Sequence, residues 1–417
     1  MTTTTTDLLT APEGRKKSDL ARDKVLDAAA LQMNRKGSAS VDLNSVSEAV
    51  GLSRNALYHY FKNRRELAYH CYLLADRELA QDLVLATSAG GSAAEQLRLL
   101  VSANFAKDKP ARAALHYLGA LELAEQEVVV RLHRKNLAAV ESILAGGVQR
   151  GEFRQINIVI AAQVLLGMMD WARLWSLDAE GETENAFNLH AISPSIISDV
   201  LLEGVAKDRN YALTKTPDLA SITAREFNAF DTQAINKEKR LQLLGTASRL
   251  FNQRGIEATS VDDIAAELGT TKGAIYHYFD NKNQLLLACY DNAFEMYDQF
   301  IEVSERDSNS TFDRMLTIMH LNCQAQASRQ PPLIVQSAPL SLPTAYAHRV
   351  LQISSRLDKM RIGAVEQGLC RIDDPAVANV SAGAFFWVQK WITEKPALKP
   401  RMLADEVCSI YSRGISA

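Results

Sequence analysis

The sequence predicts an all-α fold built from two tandem units, and three observations carry that expectation. Apolar residues recur at helical spacing along most of the chain, no stretch alternates convincingly as a strand does, and a 47-residue segment occurs twice. At 417 residues the chain also exceeds what one core ordinarily organises, so two or more domains are expected.

The repeat sets the order of elements. Residues 26–72 align without a gap on residues 244–290, at a constant offset of 218, and fourteen of the 47 pairs are identical. They include Asn34/Asn252, Gly37/Gly255, Gly51/Gly269, Cys71/Cys289 and the run Tyr58-His59-Tyr60-Phe61 against Tyr276-His277-Tyr278-Phe279. A gapless match of that kind does not arise from two unrelated helical segments. Beyond it the likeness is weaker: Gly147 to Arg154 echoes Gly363 to Arg371, and Trp171 and Trp175 echo Trp387 and Trp391.

Taken in chain order, residues 1–17 read as a disordered tail, with Met1 and five threonines showing neither a basic region nor an apolar core. Residues 18–66 form a first small helical domain and 67–206 a larger one. Residues 207–235, polar and holding Pro217, read as a linker with a helical turn near Arg225 to Phe230. Fully extended, it would reach up to about 100 Å. Residues 236–282 and 283–417 repeat the small and large domains.

Inside the second small domain, Leu241, Leu244, Ala247 and Phe251 share a helix face and Gly255 ends that helix. Ser260 followed by Asp263 is a capping-box pattern, Gly269 suits a left-handed turn, and Thr271 caps a further short helix to about Tyr278. The first copy uses Asp42, Gly51 and Ser53 in those places. Helix, Gly-containing turn and short second helix make a helix-turn-helix.

The net charge of −3 conceals a division along the chain. Residues 11–72 hold eleven Lys/Arg against seven Asp/Glu, and residues 236–290 hold seven against six. The remainder is therefore acidic, and positive charge gathers in the two short segments, the distribution that matters for phosphate binding. About 47% hydrophobic and 23% charged residues describe a globular chain rather than a disordered one. No apolar stretch is long enough to span a membrane. Five scattered cysteines, Cys71, Cys289, Cys323, Cys370 and Cys408, never form a Cys-x-x-Cys pair, which indicates reduced thiols in the cytoplasm and no zinc or other metal site.

The second helix of such a unit enters the major groove of double-stranded DNA with its N-terminal residues at base edges. Those residues are Ser53, Arg54 and Asn55 in the first copy and Thr271, Lys272 and Gly273 in the second. Arg and Lys suit guanine acceptors and Asn suits adenine. Tyr58, His59, Tyr276 and His277 follow one turn later as phosphate ligands, and Arg64 and Lys282 open the next helix, where a cation and a helix N-terminus both favour phosphate. Tyr60, Phe61, Tyr278 and Phe279 read as core. Arg15, Lys16 and Lys17 read either as a minor-groove arm or as a basic tail.

Both segments resemble the DNA-binding domain of the TetR (tetracycline-repressor) family. The match runs in the second copy from Thr259-Ser260-Val261-Asp262-Asp263-Ile264-Ala265 through Gly273-Ala274-Ile275-Tyr276-His277-Tyr278-Phe279 to Lys282. The first copy departs from it with Val41 opposite Thr259 and Arg64 in place of the usual lysine. The resemblance implies that Asp42, Thr259 and Ser260 lie at the DNA-facing entry of the motif, with the Thr259 hydroxyl offered to phosphate.

The resemblance further implies two TetR-like units, each a helix-turn-helix domain plus a larger effector and dimerisation domain. Family members bind as homodimers, so the two halves of this chain are expected to pair as a pseudo-dimer. Helices at about 157–177 and 193–206 would pack with those at 375–394 and 400–413, and the operator would be an imperfect palindrome. Further pairing of whole chains stays open.

For a small apolar or aromatic effector the candidates are His116, Tyr117, Met168, Trp171, Arg173 and Trp175, with His320, Phe385, Phe386, Trp387 and Lys390 in the second half. The same aromatic residues read equally as core or interface. No cofactor is implied, and no nucleophile elbow, zinc-protease motif, phosphate loop or dinucleotide fingerprint speaks for an enzyme. The function expected is a one-component bacterial transcriptional regulator, a repressor or an activator. A competing expectation is a protein-interaction or scaffold protein that keeps one degenerate DNA-binding unit.

Overall fold

The computed structural model of the chain describes residues 17–38, 41–106, 109–115, 118–175, 193–223, 230–334, 343–391 and 398–417. Among these the elements are helices, with two isolated β-bridges between turns. The first unit runs α1 (Lys17–Lys36), α2 (Leu43–Ala49), α3 (Arg54–Tyr60), α4 (Arg64–Ser88), α5 (Ala93–Asn104), α6 (Leu123–Gln149), α7 (Ile158–Trp175) and α8 (Pro194–Glu203). A short α9 (Leu219–Thr223) lies in the connection. The second unit runs α10 (Thr232–Arg254), α11 (Val261–Glu267), α12 (Lys272–Tyr276), α13 (Lys282–Asp307), α14 (Thr311–Ala327), α15 (Thr344–Glu366), α16 (Ala376–Phe386) and α17 (Pro400–Arg413). The expected tail and the basic residues Arg15 and Lys16 lie outside the described residues, and Lys17 opens α1.

Each small domain owns a core. Leu26, Ala29, Met33, Val46, Leu57, Phe61 and Tyr72 bury together in the first, and Leu244, Ala247, Phe251, Ile264, Ile275, Phe279 and Tyr290 in the second. The paired cysteines belong to these cores: Cys71 Sγ faces the Leu26 carbonyl and Cys289 Sγ the Leu244 carbonyl. Burial pushes the Cys289 thiol up to about 12, so it packs as a small apolar group.

The identical pair Asn34 and Asn252 joins each small domain to its body. Asn34 donates to the Arg112 carbonyl at 2.8 Å and accepts from the Ala114 amide at 2.8 Å. Asn252 donates to the Pro332 carbonyl at 2.9 Å and accepts from the Ile334 amide at 2.8 Å. Both amides are buried, so each satisfies main-chain groups that water does not reach.

A third, larger core spans both halves. α7 and α16 lie against each other, and α8 and α17 close the arrangement from either side. α7 is apolar nearly all round because it faces its own body on one side and α16 on the other. At the crossing, a Cβ on Gly167 or Gly383 would strike the other helix, and Trp171 meets Trp387 edge-on at 6.0 Å. The chain segments after α8 and α17 then exchange main-chain hydrogen bonds in matched pairs. Val205 N reaches Tyr411 O at 3.0 Å, while Ile415 N reaches Leu201 O at 3.0 Å. Arg154 donates through Nε to the Gly414 carbonyl at 2.8 Å, and Arg371 through Nε to the Gly204 carbonyl at 2.6 Å.

The linker is docked, not loosely extended. Tyr211 hydrogen-bonds Asp313, Thr214 Oγ1 donates to Asp313 at 2.6 Å, and Gln324 of α14 both donates to the Pro217 carbonyl and accepts from the Leu219 amide. A short helix, α9, lies in the linker at Leu219–Thr223, and residues 225–229 of the turn expected near Arg225 to Phe230 lie outside the described residues. α10 starts at Thr232, four residues ahead of the expected boundary, because Asp231 caps it by accepting from the Gln233 amide at 2.8 Å.

Candidate DNA-binding and effector sites

Both turns follow the sequence closely. Asp42 caps α2, accepting from the amides of Asn44 and Ser45, and Ser53 caps α3 by accepting from the Ala56 amide at 3.2 Å. In the second unit Ser260 and Asp263 complete a reciprocal capping box on α11, and Thr271 caps α12. Gly51 and Gly269 occupy the turns at φ of +68° and +63°, with open space where a side chain would be.

These caps present the second helices to solvent. Ser53, Arg54, Asn55, Tyr58 and His59 are exposed in α3, as are Thr271, Lys272, Gly273, Tyr276 and His277 in and beside α12. Arg54 lies over the Tyr58 ring, 5.6 Å from its centroid, and Lys272 lies 5.9 Å from that of Tyr276. Lys272 also pairs with Asp262 of α11 at 2.8 Å, which raises its pKa. Arg64 and Lys282 are the first residues of α4 and α13, beside the capping Asn63 and Asn281.

Two sequence assignments change. Thr259 is fully buried, and its hydroxyl donates to the Gly255 carbonyl at 2.8 Å, so it closes the end of α10 and offers nothing to phosphate. Asp42 is exposed but spent as a cap; its hydrogen bonds with Ser45 and Asn44 hold its carboxyl below the usual range, and an anion repels phosphate.

The effector candidates scatter. His116 and Tyr117 lie outside the described residues, as does the side chain of Trp175. Met168, Trp171, Phe385 and Trp387 belong to the shared core instead of a cavity. His320 is buried on α14 between Asp405, at 2.8 Å, and Gln324, at 2.9 Å. Lys390 is buried and donates to the Asn252 carbonyl, so it ties the turn after α16 to α10. Phe386 packs edge-on against Trp171 and Tyr297.

Arg173 lines a cavity of about 30 Å³ between α4, α6 and α7 of the first unit. Sequence reasoning missed its partners there: Asp76, His133 and Asp170. Asp76 Oδ1 faces His133 Nδ1 at 3.3 Å and accepts from Asn136 at 3.1 Å. Burial works against a charge on His133, and the hydrogen bond and charge of Asp76 outweigh it, so its pKa is raised. Burial lifts Asp170 to about 6 and lowers Arg173 to about 10. Arg173 stacks over Phe105 at 5.2 Å and donates to Asn104, whose amide donates to Asp82 at 3.0 Å. Asp82 takes Arg112 at 2.7 Å, and the Arg112 carbonyl is the one that Asn34 of α1 holds. Polar contacts thus run unbroken from the cavity to the first small domain.

Two exposed helix-turn-helix units on paired helical bodies define a tandem helix-turn-helix protein. Known proteins place it further. The description "Bacterial regulatory proteins, tetR family" matches residues 25–71 and again 243–289, and "Tetracyclin repressor-like, C-terminal domain" matches 90–186. The chain belongs to the TetR family, as a tandem duplication of its DNA-binding unit.

Among curated relatives, the Transposon Tn10 TetC protein of Escherichia coli is 46% identical over 59 residues, 14% of this chain and 30% of its own. The HTH-type transcriptional regulator TtgR of Pseudomonas putida is 39% identical over 76 residues, 18% and 36%. The HTH-type transcriptional repressor KstR2 of Rhodococcus jostii is 36% identical over 83 residues, 19% and 40%. The chain therefore spans 30 to 40% of the length of these relatives. Among solved structures, AibR in complex with isovaleryl coenzyme A and operator DNA is 26% identical, covering 42% of this chain and 99% of that one at a TM-score of 0.35. PfmR from Thermus thermophilus is 25% identical, covering 38% and 89% at 0.31.

Proposed function

We propose that this chain is a one-component transcriptional regulator, acting as a repressor, that reads both halves of an imperfect palindrome as an intramolecular pseudo-dimer. The observation that carries the reading is the reciprocal pairing of α7–α8 with α16–α17. In a two-fold interface residue i meets j and j meets i, and the matched bonds of Arg154 with Gly414 and Arg371 with Gly204 follow that rule within one polypeptide. Two such halves hold α3 and α12 at a set separation, which is what half-sites about one helical turn apart require.

Because α3 opens with Arg54-Asn55 and α12 with Lys272-Gly273, the half-sites differ in sequence. Tyr58, His59, Tyr276, His277, Arg64 and Lys282 fix the register through phosphates. Release follows when a small molecule favours the arrangement in which the recognition helices no longer match successive grooves. In the first half the polar contacts from Arg173 through Asn104, Asp82 and Arg112 to Asn34 offer a route for that change.

Selection of bound sequences from a random pool by the intact chain tests this. The expected product is two unlike half-sites, with Arg54→Ala relaxing the first and Lys272→Ala the second. Recovery of a single half-site, unaffected by Lys272→Ala, would favour the scaffold-like reading with one degenerate unit.

A further inference from the structure

We propose that, among the described residues, the cavity between α4, α6 and α7 of the first half is the effector site, taking the ammonium group of a small organic amine, one per chain. As a regulatory site it rests on the reading above; as a binding site it rests on the side chains around it.

The first observation is an unmet demand for a donor. Asp76 is 4% exposed and its Oδ2 has no hydrogen-bond partner among the described residues, although it lines the cavity. A buried carboxylate oxygen without a donor is costly. Of the cations nearby, His133 faces Oδ1 and Arg173 donates to Asn104, while Arg173 Nε is a buried donor with no partner among the described residues. A second carboxylate, Asp170, lines the same space. Leu79, Leu115, Leu166 and Met169 complete the lining, so a charged head would carry a short hydrocarbon behind it. About 30 Å³ accommodates a group the size of an ammonium ion or a water. The hydrocarbon therefore enters only as α4 and α7 part, and that is the motion a release mechanism needs.

The second observation is what the duplication did to the same positions. With α4 aligned on α13 at an offset of 218, Asp76, Leu79 and Asp82 correspond to Phe294, Tyr297 and Phe300. With α7 aligned on α16 through Gly167/Gly383 and Trp171/Trp387, Asp170 corresponds to Phe386. Tyr297 meets Phe386 at 6.5 Å and Phe300 at 6.0 Å, while Phe294 packs in the core of the small domain, against Tyr346 at 6.0 Å. Rings thus occupy in the second half what carboxylates surround in the first. One half senses, and the other is filled.

Titration calorimetry of the intact chain with primary alkylamines of three to six carbons, against the matched alcohols and carboxylates, tests the proposal. It predicts saturable binding at one amine per chain, at least tenfold tighter than the alcohol of equal length. Asp76→Asn should weaken that binding at least tenfold, and Leu79→Tyr, which installs the second half's ring, should abolish it. Circular dichroism reports whether each variant folds, and if Asp76→Asn does not, Leu79→Tyr and Asp170→Asn decide. Alcohols or carboxylates binding as well as amines, two amines per chain, undiminished binding in the folded variants, or no amine binding at all would each overturn it. Operator binding without amine is measured alongside. Its loss would count against the regulator reading, and its retention with no amine bound would count against the effector site only.

Discussion

A Cβ placed on Gly167 would sit 2.7 Å from the Gly383 carbonyl oxygen, and one placed on Gly383 would sit 2.7 Å from the Gly167 carbonyl oxygen. The two helices touch main chain to main chain, and the contact is the same seen from either side. Gly383→Ala would also press on Met168 Cα and Trp171 Cβ, at 2.7 and 2.8 Å, whereas the next neighbours of Gly167→Ala are the Trp387 side chain at 3.1 and 3.2 Å. Overpacking of this kind costs roughly 1–3 kcal/mol, less the few tenths to 1 kcal/mol by which Ala favours a helix over Gly. Denaturant unfolding should therefore show Gly383→Ala as the more damaging of the two. Negligible losses in both would mean that the helices are not in close contact, and equal losses that Met168 and Trp171 give way as readily as the Trp387 side chain.

The twin asparagines make a second prediction. Replacing Asn34 or Asn252 by Ala strands buried main-chain groups at Arg112 and Ala114, or at Pro332 and Ile334, at a cost of roughly 1–3 kcal/mol each. Hydrogen exchange should show the small domain loosened in the affected half and undisturbed in the other. Loosening of both halves by one substitution would show that the small domains are not separately anchored.

Asp262 holds Lys272 on the free protein and competes with the phosphates and bases that Lys272 would meet on DNA. Asp262→Asn is expected to raise operator affinity modestly, by no more than about fivefold, because exposed pairs contribute little. Filter binding across a salt series checks this, and the gain should shrink as salt rises. An affinity loss in Asp262→Asn would mean that the carboxylate positions the lysine for DNA instead of withholding it.

Asp170 gives the fold a pH signature. Its ordinary value is 3.8 and burial lifts it to about 6 in the folded chain. Between those values the folded state holds a proton that the unfolded state has released, so this residue's contribution to stability is full below pH 3.8 and is lost as pH rises through 6. Asp170→Asn removes that dependence. Relative to the parent, the variant should gain roughly 2–3 kcal/mol between acid and neutral pH. Unfolding curves at pH 4 and pH 7 measure it, and a difference that does not change with pH would refute the assignment.

Much of the DNA-facing side was legible because its signals are local. Gly51 and Gly269 mark turns, Ser53, Ser260 and Thr271 mark caps, and the interval between them sets the short helices. Thr259 misled because a hydroxyl before a cap suits phosphate and a helix C-terminus equally, and only packing directs it inward. The cavity was less legible. Asp76 stands in α4 and His133 in α6, 57 residues apart, and nothing in spacing says that they meet. One signal was available: Asp170 is the lone acid in an apolar run from Ile158 to Trp175, where a carboxylate is costly to bury unless polar or cationic groups face it. Aromatic residues drew attention instead, and those were the residues that fill space.

The central claim, that one polypeptide is its own dimer on DNA, is tested most directly by the mass of the complex. Sedimentation of the intact chain with a short operator duplex, joined to hydroxyl-radical footprinting, should give one chain per duplex with two protected half-sites. Arg54→Ala should clear one half-site and Lys272→Ala the other. Two chains per duplex, each protecting a single half-site, would contradict it.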